Sequence, residues 1–99
     1  MRGKERANLR AEAHHLSPTV HVGHQGITDA VIRATNEALT ARELVKIDIS
    51  KNADATTKEA AGLLASATQA EVIQVIGRKV TLFRENPELE WKDNVPPWR

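Results

Sequence analysis

The sequence predicts an α/β fold of the two-layer α+β type. An N-terminal helix is followed by β-α-β-α-β-β, giving a mixed four-stranded sheet packed with helices. Three observations predict it. Val45, Ile47 and Ile49 alternate with Lys46, Asp48 and Ser50, the period of a strand with one buried face and one wet face. A stretch of helical period separates that strand from an earlier short one, and strands joined by a helix favour a right-handed crossover and parallel pairing. Two apolar runs flank Gly77-Arg78 near the end of the chain, which reads as a hairpin and therefore as an antiparallel pair.

Each element has its own signal. Leu9, Ala13 and Leu16 fall on one helical face, predicting a first helix over residues 3–15 that Ser17-Pro18 stops, because the residue before proline is pushed out of helical geometry. Thr19 to Val22 predicts a short strand with Val20 and Val22 on one side. After the loop Gly23-His24-Gln25-Gly26, a second helix is expected from Ile27 or Thr28 to Ala41. Thr28 suits the N-cap and Asp29 the positive first turn. Ile27, Val31, Ala34, Ala38 and Leu39 would face inward. Lys51 to Asp54 is a turn and cap before a third helix ending near Thr68, with Ala60, Leu63, Leu64 and Ala67 inward. Glu71–Ile76 and Lys79–Arg84 form the hairpin. Residues 1–86 are thus one domain, and residues 87–99 a polar tail with three prolines and both tryptophans. That tail is expected to be disordered alone or loosely packed, the alternative being that a tryptophan docks on the domain or on a partner.

Composition excludes several classes of function. The 99 residues hold no cysteine, which removes disulfides, thiol catalysis and cysteine–zinc sites. No apolar run approaches a membrane span, and no apolar segment follows the charged N-terminus, so a cytoplasmic protein with no membrane partner is expected. The net charge of +1 argues nothing about nucleic acid, but Arg2, Lys4, Arg6 and Arg10 outnumber Glu5 and Glu12 in the first fifteen residues. Ser17, Ser50 and Ser66 lack a nucleophile-elbow context, and no carboxylate pair stands out. The histidines, His14, His15, His21 and His24, lack the convergent third and fourth ligands a metal needs. Neither an enzyme nor a metal or other cofactor is indicated, nor a small-molecule substrate.

The positive signal is the loop. Gly23-x-x-Gly26 lies between a strand and a helix start. Glycines permit a sharp turn and close approach of a ligand, and the helix start presents unpaired N–H groups and a positive dipole end. KH domains clamp nucleotide backbone with a GXXG loop. A dinucleotide site would need a third glycine and an acidic residue about 20 positions on, in a larger domain. On this reading Gly23, Gln25, Gly26 and His24, with Ile27 and Thr28 at the helix start, would meet a phosphate backbone. Arg6, Arg10, Arg78 and Lys79 supply surrounding charge, each of them otherwise an ordinary surface cation. With aromatics at only 3%, recognition rests on backbone and shape more than on base stacking.

The residues Leu9-Arg10-Ala11-Glu12-Ala13-His14-His15-Leu16-Ser17-Pro18 and Val20-His21-Val22-Gly23-His24-Gln25-Gly26-Ile27-Thr28 resemble the YhbY-like, or CRM-domain, family. Val72-Ile73-Gln74-Val75-Ile76-Gly77-Arg78 and Leu82-Phe83-Arg84 resemble its closing hairpin, so the likeness spans residues 5–86. The resemblance implies a fold similar to the C-terminal domain of bacterial translation initiation factor three. It also implies RNA binding through the GXXG loop and nearby basic surface, non-catalytic and in precursors of the large ribosomal subunit; plant relatives act in intron splicing. A monomer is expected. Two positions depart from the family: His24 and Ser17 stand where lysine is frequent, which removes permanent charge and leaves His24 and His21 as pH-dependent contributors. The alternative is a protein-interaction adaptor on ribosomal particles, in which the loop is only a turn.

Overall fold

The structure is a computed structural model that describes residues 3–91 together with Pro96 and Trp98. Arg2, one of the N-terminal cations, lies outside the described residues. The elements are α1 (Gly3–Ala13), β1 (Val20–Val22), α2 (Asp29–Arg42), β2 (Leu44–Ile49), α3 (Thr57–Thr68), β3 (Glu71–Ile76) and β4 (Lys79–Phe83). The sheet order is β1-β2-β4-β3. β1 runs parallel to β2, while β2–β4 and β4–β3 are antiparallel, the last with an irregularity between Val72 and Gln74.

The period-2 pattern of β2 divides the core in two. Val45, Ile47 and Ile49 point to the α2/α3 side with Val20, Val22, Val80, Leu82, Leu39 and Leu64. Each such aliphatic side chain contributes roughly 1.5–3 kcal/mol by leaving water. Leu44 points the other way, into a second cluster with Leu9 of α1, Ile73, Phe83 and Trp98. Helix α1 therefore lies on the opposite face of the sheet from α2 and α3. Lys46 Nζ donates to the Ala13 carbonyl at 3.2 Å, closing the C-terminal end of α1.

The two following helices are rotated relative to the sequence pattern. In α2 the buried residues are Thr35 and Leu39, and Ala34 is exposed. In α3 they are Ala60, Ala61, Leu64 and Thr68, while Leu63 is 55% exposed and Ala67 is also outward. The cause is the same in both. Thr35 Oγ1 donates to Val31 O (2.8 Å) and Thr68 Oγ1 to Leu64 O (2.6 Å), so each hydroxyl is satisfied inside its own helix and can be buried. Helix α2 starts at Asp29, directly after the expected cap, Thr28.

The tail differs from the expectation of loose packing. Trp98 is 5% exposed and meets Phe83 (6.0 Å) and Trp91 (5.1 Å) edge-to-face. Its carbonyl accepts from Asn8 Nδ2 at 3.2 Å. The alternative of a docked tryptophan is the one the structure adopts.

Candidate nucleic-acid interface

β1 ends at Val22 opposite Ile49, the last residue of β2, and Ser50 N donates to Val22 O at 2.8 Å. The chain must reverse there to enter α2, and Gly23–Gly26 makes the reversal. Gly26 N donates to Gly23 O at 3.0 Å, and Gly26 has φ +75°, a left-handed conformation that L side chains resist. Thr28 then caps α2: its backbone is extended (φ −96°, ψ 168°) and its Oγ1 accepts from Val31 N at 3.2 Å.

This geometry revises one part of the sequence reading. The Gly26 amide is spent inside the turn and is not available to a phosphate. The amides of His24, Gln25, Ile27 and Thr28 have no acceptor among the described residues. They sit at the positive end of a 14-residue helix, around a shallow pocket of about 210 Å³ lined by Gly23, His24, Gln25, Gly26, Thr28 and Val31. Gly23, His24 and Gln25 are exposed, and a Cβ added at Gly23 would meet nothing within 4 Å. An anion can therefore approach the bare backbone.

The predicted cations do not all gather at this loop. Arg78 does: its carbonyl accepts from Ile49 N at 2.8 Å, which places the Gly77-Arg78 tip beside the end of β2. Gly77 has φ +58°, the left-handed geometry of the tight turn. Lys79 is near but paired, Nζ to Asp48 Oδ1 at 2.6 Å. Asp48 also lies 3.5 Å from His21 Nδ1. The Lys79 hydrogen bond, aided by its charge and by smaller contributions from His21, holds the Asp48 carboxyl below its ordinary value against the opposing effect of desolvation.

Arg6 is at the other end of the sheet. It bonds Val72 O (3.2 Å) and Glu71 Oε2 (3.1 Å), and Glu71 pairs with Phe83, which pairs with Leu44, the first residue of β2. Five residue steps along β2, about 17 Å, separate that end from the loop. Arg10 is exposed on α1, one turn beyond Arg6, without a hydrogen-bond or ion-pair partner among the described residues. Lys51, absent from the sequence-derived set, does belong to the loop end, because it follows the Ser50 that bonds Val22. Only parallel pairing with a known register could have found it. Among the described residues no three His, Asp or Glu side chains converge as metal ligands, and no helix is long and apolar enough to cross a membrane.

The sheet order and the helices packed on it define a small α/β domain with a mixed four-stranded sheet. The model of the CRS1/YhbY (CRM) domain matches residues 1–84, and the chain belongs to that family. The Bacillus subtilis protein named "Probable RNA-binding protein YqeI" is 36% identical over 86 residues, covering 87% of this chain and 90% of the relative. The Methanocaldococcus jannaschii "Probable RNA-binding protein MJ0652" is 42% identical over 92 residues, covering 91% of this chain; the match spans 66% of that longer relative. The solution structure of SAV1595 from Staphylococcus aureus superposes with a TM-score of 0.77 at 34% identity, over 98% of this chain and 99% of that one.

Proposed function

We propose that this chain is a non-catalytic RNA-binding protein that grips RNA backbone through the Gly23–Gly26 loop and the start of α2. Its RNA is ribosomal RNA in precursors of the large subunit. The observation that carries the reading is the set of amides at His24, Gln25, Ile27 and Thr28 that have no acceptor among the described residues, next to a helix N-terminus. The relatives' names agree with RNA as the partner. The ribosomal assignment rests on the family resemblance. His24 and Gln25 hydrogen-bond ribose or base edges, and Arg78 and Lys51 supply the adjacent positive charge. Arg10, exposed on α1, adds further charge, and Arg6, at the far end of the sheet, meets only an RNA long enough to cross it.

Gly23→Asp is the decisive variant. The position is open and its φ lies outside the left-handed region, so the fold tolerates a side chain there. The new carboxylate sits where a phosphate would lie. RNA affinity is expected to fall at least tenfold with the melting temperature unchanged. If association with large-subunit precursors survives in a folded variant, the loop is only a turn and the adaptor reading replaces this one.

A further inference from the structure

We infer that the RNA path continues from the loop across an uncovered strip of the sheet, and that His21 and Ile76 are contact residues on it. The inference rests on the loop reading above. The ladder puts His21 opposite Asp48, Asp48 opposite Lys79, and Lys79 opposite Ile76. Directly paired residues share a face, so these four side chains form one row across all four strands, about 14 Å wide.

The row lies on the α1 side of the sheet, but α1 leaves it open. The helix covers the far end, where Leu9 packs on Leu44, Ile73 and Phe83, and the neighbouring ladder residue Thr81 is already buried. In the row itself the His21 side chain is 68% exposed and Ile76 55% exposed. One end of the row is two residues from Gly23. The other is two residues from Arg78.

Charge and chemistry favour a nucleic-acid strand as occupant. The single carboxylate, Asp48, is neutralised in place by Lys79, and Arg78 and Lys51 lie alongside the row at the loop end of the sheet. Phe83, Trp91 and Trp98 are committed to the second core cluster. That leaves imidazole as the ring available for a splayed base, and His is one of the side chains on which RNA bases stack. Ile76 offers an apolar contact at the far side of the row. Asp48, between Lys79 and His21, orients both.

The test compares two fluorescein-labelled oligouridylates, one of about four nucleotides, the span a GXXG loop clamps, and one of about twelve. Fluorescence anisotropy reads their affinities. The wild-type protein should bind the longer probe more tightly. His21→Thr and Ile76→Thr, which keep strand-forming residues at exposed positions, should each weaken the longer probe roughly fivefold, the low end of base-stacking effects, and leave the shorter one unchanged. Gly23→Asp should weaken both. If the strip variants match wild type on the longer probe, or weaken both probes alike, the strip is not an RNA track. Unchanged RNA binding would leave it to a protein partner. If Gly23→Asp weakens neither probe, the loop reading fails instead.

Discussion

Asp48 Oδ1 accepts a 2.6 Å hydrogen bond from Lys79 Nζ, and the two residues face each other directly across the β2–β4 ladder. The carboxyl is held below its ordinary value of 3.8. A depressed carboxyl stabilises the fold above that value, and the contribution is lost as pH falls through the lower, folded-state pKa. Stability measured by urea titration should therefore drop below about pH 4, and Asp48→Asn should remove that part of the drop. At neutral pH the variant should lose about 0.5 kcal/mol, since the pair is partly exposed and screened. An identical acid profile in the variant would show that the pair is energetically silent.

Trp98 should be a stability determinant. It closes the cluster formed by Leu9, Leu44, Ile73 and Phe83. Trp98→Ala should cost roughly 3 kcal/mol in chemical denaturation. Indole emission of the wild type should lie to the blue of water-exposed tryptophan and move red when the protein is unfolded in urea. Water-like emission in the intact protein would contradict the docked arrangement.

The two arginines at opposite ends of the sheet should behave differently. Each phosphate contact on a single strand contributes about −0.7 to the slope of log affinity against log salt. Arg78→Ala should reduce the magnitude of the slope by about that amount at unchanged stability. Arg6→Ala should instead lower the melting temperature and leave the slope for a short probe alone, because its guanidinium is engaged with Glu71 and Val72. Equal effects on the slope would mean that short RNA reaches both ends.

Arg84 ties three elements together. Nη1 donates to Asn36 Oδ1 and Thr68 O, both at 2.7 Å, and Nη2 donates to Asn36 O and Thr40 Oγ1, both at 3.0 Å. Arg84→Ala should destabilise by about 2 kcal/mol, and Arg84→Lys should recover little of it, because an ammonium cannot serve this planar fork. Full recovery by lysine would show that charge, not geometry, is what matters.

By itself the sequence determined the order of elements, the faces of β2 and the place of the loop, because these follow from local periodicity, glycine and capping chemistry. It located the cap at Thr28 and the turn at Gly77 for the same reason. It could not orient α2 and α3, since the buried threonines Thr35 and Thr68 look polar in one dimension and become core only when each hydroxyl bonds the carbonyl four residues back. Only the tertiary structure decided which cations share the loop's end of the sheet. That depends on strand register, which set Arg6 apart, paired Lys79 with Asp48 and brought Lys51 in. It also decided the fate of the C-terminal tryptophan, because the apolar surface Trp98 covers is assembled from α1, β2, β3 and β4 and exists nowhere in the linear chain.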